Sequence, residues 1–469
     1  MRIFILFLYI FSYFNLLFSW ERYYGREDCE RGFMIKKTRD NNFIICGGRD
    51  MNVQQTSYIY LIKTDYSGNI IWERFNGDIK NYGTAFDFTK DDGLIIAGYG
   101  YINGFQKAVL ARTDMEGQRL WEKFIGGDSQ SNYGKSAFET DDDGFVLFCQ
   151  LNNVPNIIKT DSLGNILWQK TYNQDYFFEN AIKVDDRSYI ICGMSYNSSS
   201  EDDVMLMKVD AEGYVIWEET YTAELDQKGF CLFKTSDNKI MVVGSNNKNS
   251  SIDDYYILKT DESGNKIWDR TWGGNDIDVL TSIKEMQDAT FAITGFTKSS
   301  GAGLNDMYIA RIDSAGNTLW EATYGRSMQE KGLWLEISDS NEIFAVGYTT
   351  SYGNGANDIY LVKVEENGFK YDSRIPPKKE MHLTTYPNPA SNYLQISFFL
   401  EKKSFIGLSI YDILGRKIAE LENGIRKQGR NFVNWNFKRD FPSLKNGIYY
   451  CRLIINKDYS RTIPITIIK

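Results

Sequence analysis

One short pattern recurs along most of this 469-residue chain: an aspartate, a tight turn ending in glycine, and a tryptophan four residues beyond the glycine. It runs from Asp65 through Gly68 to Trp72. It returns at Asp114–Gly117–Trp121, Asp161–Gly164–Trp168, Asp210–Gly213–Trp217, Asp261–Gly264–Trp268 and Asp313–Gly316–Trp320. The tryptophans stand 49, 47, 49, 51 and 52 residues apart, and a degenerate copy, Asn367-Gly368-Phe369, ends the array. A period near fifty residues restricts the chain to an architecture in which each unit buries its apolar face against its neighbour.

Each unit holds four strand-like segments. In the fifth they fall at 229–235, 239–244, 255–259 and 265–271. They alternate or run apolar over strand lengths, with turn residues between them, and no segment sustains a helical period. Four short antiparallel strands per fifty residues specify an all-β fold, a β-propeller of about seven blades. Seven third-strand segments are visible, the last being Asp358-Ile-Tyr-Leu-Val-Lys363. Six or eight blades stay open. The last unit lacks its tryptophan, whereas Trp20-Glu-Arg-Tyr-Tyr24 has the character of a fourth strand and stands 52 residues before Trp72. This N-terminal strand is expected to complete the last blade and close the ring, removing exposed sheet edges.

The recurring residues read as scaffold. Glycine supplies the positive backbone dihedral of the turn, the aspartates can accept hydrogen bonds from turn amides, and Trp20, Trp72, Trp121, Trp168, Trp217, Trp268 and Trp320 are expected to pack between blades. Ser67-Gly68-Asn69-Ile70-Ile71-Trp72 resembles the Thr-Gly-x-x-x-Trp of quinoprotein-type propellers. It is also similar to the Asp box of sialidases, with one extra residue on each side of the glycine. Both resemblances concern turns and imply fold without activity.

The repeat breaks after Lys363. Residues 373–385, with Pro376-Pro377 and Lys378-Lys379, read as a linker. Segments at 393–399, 407–411, 432–437, 447–454 and 461–468 then suggest a small Ig-like β-sandwich. Tyr386-Pro387-Asn388-Pro389 resembles the opening of the type IX secretion system sorting domain (type A) of Bacteroidetes. Tyr411-Asp412-Ile-Leu-Gly415-Arg416 is similar to its "YDxxGR" strand and turn, and Leu444-Lys-Asn-Gly447-Ile-Tyr449 to its "LxxGxY" motif. The chain ends on a strand and Lys469, as such domains do. The resemblance implies export through the type IX machinery, removal of the domain, and a product secreted or attached to the outer cell surface. The expected organisation is a signal peptide at 1–19, the propeller at 20–372, the linker at 373–385 and the sorting domain at 386–469. The apolar run from Ile3 to Phe18 after Arg2 fits such a signal peptide; a retained anchor is the rival, though the run is marginal for spanning.

The chemistry available is limited. The only histidine, His382, lies in the linker, which excludes histidine-based nucleophilic catalysis and histidine-rich metal sites in the propeller. No cofactor motif is present, and no catalytic, cofactor-binding or metal-ligating residue is assigned. Asp91-Asp92-Gly93 and Asp141-Asp142-Asp143-Gly144 resemble fragments of calcium loops but sit where other units turn tightly. None of the six cysteines forms a CxxC; buried free thiols are expected, with a Cys29–Cys46 disulfide left open. Residues 381–469 carry 14 of the 53 Lys+Arg and 6 of the 62 Asp+Glu, so the first 380 hold 39 and 56, a balance of −17. That argues against nucleic acid as a partner.

Loop lengths give one positional clue. First–second and third–fourth connections are short, whereas the second–third connections (48–57, 195–203, 246–254, 297–306 and 349–358) and the fourth–first connections are longer. Both long sets open on one face, where binding residues usually sit. Three readings follow: a module binding a glycan or protein at this face; a glycoside hydrolase or lyase drawing on carboxylates such as Asp203, Asp254, Asp306 and Asp358; and a structural surface protein. The first is preferred, as a monomer without enzymatic activity.

Overall fold

The computed structural model describes residues 19–469 except 27, 52–55, 78–80, 130, 197–201, 223–225, 248–251, 354–355, 367, 369–382, 387–388, 401–402, 414, 428, 457–458 and 469. The apolar start at 1–18, most of the expected linker with His382, and Asn367, Phe369, Pro387, Asn388 and Lys469 therefore lie outside the described residues. The chain divides into two compact units, Met1–Lys370 and Tyr371–Lys469.

The first unit holds seven antiparallel four-stranded sheets. Blade 1 is Cys29–Lys37, Phe43–Met51, Thr56–Thr64 and Ile70–Asn76, paired in that order. Five further blades repeat this arrangement up to Tyr324. The seventh comprises Glu330–Ile337, Ile343–Thr349 and Asp358–Val364, and its fourth strand is Trp20–Tyr24. Trp20 lies opposite Lys363 and Tyr24 opposite Ile359, so the N-terminal strand closes the ring as its spacing predicts.

The sequence pattern follows from where each strand sits. Second and third strands are covered on both faces by neighbouring blades and carry continuous apolar runs: Ile343, Phe344, Ala345 and Val346 are all buried. Fourth strands lie at the rim and alternate, as in Ile166–Thr171. The core is accordingly divided into seven hydrophobic clusters, one at each junction between blades.

At the rim every junction uses the same device. The ring of Trp72 lies against Gly117 of the next blade, and Trp121, Trp168, Trp217, Trp268 and Trp320 meet Gly164, Gly213, Gly264, Gly316 and Gly368 in the same way. Trp20 meets Gly68 and makes the closing junction equivalent to the rest. Gly117 has φ +75°, and a Cβ there would stand 2.7 Å from the Trp72 ring, so both the turn and the close approach demand glycine. The repeated aspartates hold these turns. Asp65 Oδ1 accepts from the amides of Ser67 (2.9 Å) and Asn69 (2.8 Å), and Asp114, Asp161, Asp261 and Asp313 do the same. Asp210 accepts from the Tyr214 amide at 2.7 Å.

The second unit is a sandwich of a three-stranded sheet (Leu383–Tyr386, Leu394–Leu400, Gly429–Trp435) and a four-stranded sheet (Lys417–Arg426, Ser404–Tyr411, Gly447–Ile455, Tyr459–Ile467). Leu383–Tyr386 and Lys417–Arg426 add two strands to those expected, and a short helix, Phe437–Asp440, follows Trp435. Its own core includes Ile396, Phe398, Leu408, Ile410, Trp435, Phe437 and Leu453.

The Cys29–Cys46 disulfide is not formed, and all six cysteines are free. Cys46 is buried in the cluster between blades 1 and 2, whereas the Cys29 thiol accepts from Asn357 Nδ2 at 2.9 Å. Burial pushes the Cys231 thiol up to about 11 and the Cys451 thiol up to about 12, which makes both inert as nucleophiles.

Candidate functional site

The first strands of the seven blades contact one another around the ring and line a central channel. Each carries a β-bulge at the same place: after Gly32, Gly83, Gly134, Phe178, Gly229, Leu280 and Gly332. A bulge re-aims the residues beside it. Following the last bulge, Trp334 packs against the clusters of blades 5–6, 7–1 and 1–2, and it lines the channel. The channel has a long-loop end and a short-turn end.

At the long-loop end, the equivalent position near the start of the inner strand is occupied by Arg31, Tyr82, Tyr133, Phe177, Lys228, Val279 and Lys331, a different neighbourhood in almost every blade. One sector is aromatic. Tyr82 stacks on Tyr99 (centroids 4.7 Å apart), and Tyr99 meets the edges of Tyr101 (6.2 Å) and Tyr133 (5.8 Å). The Tyr82 hydroxyl donates to Asp50. Burial raises the Tyr99 hydroxyl to about 12, so it remains a hydrogen-bond donor at any physiological pH.

The adjoining sector, on blades 7 and 1, is cationic. The Arg31 guanidinium, on an exposed residue, stands 5.2 Å from the Tyr348 ring, and Lys331 Nζ is 3.9 Å from the Phe296 ring. Burial, with the charges of Arg31 and Lys298, holds the Lys331 ammonium below its usual range. Beside Tyr133 on the same strand, Lys135 pairs with Glu179 at 2.7 Å and lies 4.7 Å from the Phe177 ring. Half-buried rings beside the Arg31 and Lys331 cations form a surface suited to stacking and charge-assisted hydrogen bonding.

The four recurring acids of this face are buried beneath that surface: Asp203, Asp254, Asp306 and Asp358 are each no more than 5% exposed. Asp306 Oδ2 accepts from the amides of Ala302 (2.9 Å) and Gly303 (3.0 Å) in its own loop. Acids at the start of the inner strands act alike. Glu330 accepts from the Arg326 amide and Thr349 Oγ1, and Asp278 from the Gly274 amide and Ser299 Oγ. These carboxylates tie loops to strands. Glu30, their counterpart at the closing junction, pairs with Arg49 at 3.1 Å. Burial raises its carboxyl to about 7, Arg49 opposing the rise and Asp358 and Asp28 adding to it.

At the short-turn end the acidic fragments are turns. Asp91 accepts from Thr89 Oγ1 (2.6 Å) and the Gly93 amide, and Asp142 from Thr140 Oγ1 (2.6 Å), Lys159 (2.9 Å) and the Gly144 amide. The hydrogen bonds from Lys159 and then Thr140 lower the Asp142 carboxyl to about 2. Among the described residues no group of three or more His, Cys, Asp or Glu is placed to hold a metal ion.

In the second unit the recognised motifs meet. The Gly415 turn, φ +78°, is closed by the Asp412 carboxylate, which accepts from the Arg416 amide (2.9 Å) and Nε (2.7 Å). Tyr449 is buried and donates to the Lys445 carbonyl at 2.9 Å. Asp412, Arg416, Leu444, Gly447 and Tyr449 line one shallow cavity of about 470 Å³. Tyr386 ends the strand Leu383–Tyr386, and Pro389 is exposed just beyond it.

The molecule is thus a seven-bladed β-propeller joined to a C-terminal β-sandwich. Residues 384–468 match the family model of the secretion system C-terminal sorting domain. Such a domain marks proteins of the type IX system, and this chain is exported to the cell surface or the extracellular space. No curated protein matches the chain. Among solved structures it is similar to a protein of unknown function from Bacteroides caccae (13% identity over 60% of this chain and 93% of that one, TM-score 0.39). It is also similar to a catalytically inactive virginiamycin B lyase from Staphylococcus aureus with quinupristin (12%, 74% and 100%, TM-score 0.47). A third is the WD40 domain of Neurospora crassa Pan2 (11%, 72% and 89%, TM-score 0.45). No activity transfers from these proteins, and the blade count rests on the strand pairing itself.

Proposed function

We propose that this chain is an exported, non-enzymatic propeller that binds a glycan or protein ligand at its long-loop mouth. Residues 1–19 serve as its signal peptide, 20–372 as the propeller, 373–385 as the linker and 386–469 as the sorting domain, and it acts as a monomer. The observation that carries this reading is the mouth itself, where Tyr82, Tyr99, Tyr101 and Tyr133 adjoin Arg31 and, beyond it, Lys331. Tyrosine rings give large contact area at little entropic cost and carry a hydroxyl for directed hydrogen bonds. A carboxylate-based hydrolase would need accessible acids, and the four recurring ones are buried, Asp306 holding its own loop. In the sorting domain we assign contact with the type IX machinery to the face shared by Asp412, Arg416, Leu444 and Tyr449.

The test is a binding screen of the purified full-length chain against glycans and surface proteins, with and without calcium. A hit that Arg31→Ala or Tyr101→Ala abolishes, with melting temperature retained, supports the reading. No hit, or a hit indifferent to both changes, contradicts it.

A further inference from the structure

The half of the channel nearer the short turns contains a cavity of about 270 Å³ to which all seven inner strands contribute. Its volume lies just below the ~300–1,000 Å³ usual for drug-sized ligands, so it suits only a small one. Trp334, Phe138 and Phe233 give it an aromatic interior. Four lysines line it as well, Lys36, Lys183, Lys234 and Lys284, against a single carboxylate, Asp87. Lys36 is paired with Asp87 at 2.6 Å, Lys183 with Asp186 at 2.9 Å and Lys284 more loosely with Glu336 at 3.8 Å. Lys284 Nζ also stands 5.7 Å from the Phe233 ring, which brings a cation and an apolar surface to one place.

Counting those partners, four lysines stand against Asp87, Asp186 and Glu336, which leaves one positive charge, on Lys234, in a region whose overall balance is −17. Part-buried cations on low-dielectric walls attract anions more strongly than the same charges on an open surface. An apolar interior lined by Trp334, Phe138 and Phe233 gives a hydrophobic body somewhere to go. The two features together select a molecule with both parts. We propose that this cavity binds a small amphipathic anion, a short aliphatic or aromatic body carrying one carboxylate, at a site separate from the long-loop mouth.

Octanoate is the probe, titrated into the full-length chain by calorimetry and by tryptophan fluorescence. Octanol supplies the apolar body without charge, and acetate the charge without the body. The expected result is a single octanoate site at least ~10-fold tighter than either comparison compound, since a charge-assisted contact adds to apolar burial. Lys234→Gln together with Lys284→Gln weakens octanoate by at least ~10-fold and leaves octanol unchanged. Trp334→Phe retains the calorimetric binding and loses the fluorescence change, which places the ligand in the cavity. The proposal is overturned by any of three results: octanoate binds no more tightly than octanol, the lysine changes have no effect, or the fluorescence change survives in Trp334→Phe. Lys234→Gln alone provides the same readout should the double variant fold poorly.

Discussion

The rim of the propeller and the mouth of its channel treat the repeat in opposite ways. At the rim the same parts recur at all seven junctions, a tryptophan ring against the glycine of the next blade, and even the chain's N-terminal strand is recruited to supply the last copy. At the long-loop mouth the equivalent positions are Arg31, Tyr82, Tyr133, Phe177, Lys228, Val279 and Lys331, with no residue type common to the ring. Uniform residues answer a requirement that every blade shares, which is docking to its neighbour. Varied residues answer no such requirement, so their chemistry is free to serve a ligand that is not sevenfold symmetric.

If that contrast is right, rim changes cost stability and mouth changes do not. The largest effect is expected from deleting Trp20–Tyr24. This removes the fourth strand of blade 7, exposes the edge of Asp358–Val364 and leaves Gly68 without its tryptophan. A loss of about 3–5 kcal/mol follows from the tryptophan alone, enough to lower Tm by roughly 5 °C in a unit of this size. Unchanged thermal melting would break the comparison at its strongest point. Next comes Gly117→Ala, expected to cost more than ~2 kcal/mol because the added Cβ meets the Trp72 ring at a positive φ. Gly104→Ala sharpens this result. Gly104 has φ +82° but nothing within 4 Å of an added Cβ, so it carries only the backbone strain of about 1 kcal/mol.

The closing junction also predicts a pH effect. Glu30 titrates near 7 in the folded chain, above the ordinary ~4.3 of an unfolded glutamate. The folded state therefore binds the proton more tightly. Stability from this group is full below about pH 4, declines as pH rises toward 7, and is lost above it. Glu30→Gln should stabilise the protein at pH 8 by about 1–3 kcal/mol and flatten that decline, since Arg49 keeps Asp28 at 2.6 Å. Urea melts at pH 5 and pH 8 check both parts. The smallest effect is expected in a short turn. Ala289 has φ +62° where three other blades place Asn41, Asn238 and Asn341, and Ala289→Asn should gain up to ~1 kcal/mol by denaturant melting.

The rim was legible in the sequence because its signal is periodic. Six tryptophans at regular spacing announce a shared structural role, and the same spacing places Trp20 in the seventh blade. The turn aspartates were legible for the same reason. The mouth was not, because its contacts join residues that neither repeat nor lie near one another in sequence; Arg31 meets Tyr348 across the closing junction. The long loops drew attention to the acids of their face, which are buried, rather than to Tyr99, Tyr101 and Arg31. The place of Trp334 in the channel lining was hidden as well, since it depends on a bulge between Gly332 and Trp334 that breaks simple alternation. A bulge leaves little trace in an apolar–polar pattern.

The central claim is that the varied mouth carries function and the uniform rim carries fold. The most direct test measures ligand affinity and Tm together on two single variants of the full-length chain, Arg31→Ala at the mouth and Gly117→Ala at the rim, using a ligand found in the screen. The account predicts at least ~10-fold weaker binding with little change in Tm for the first, and lowered Tm with unchanged affinity at temperatures where it is folded for the second. Equal affinity in Arg31→Ala, or a rim variant that loses binding while fully folded, would contradict it.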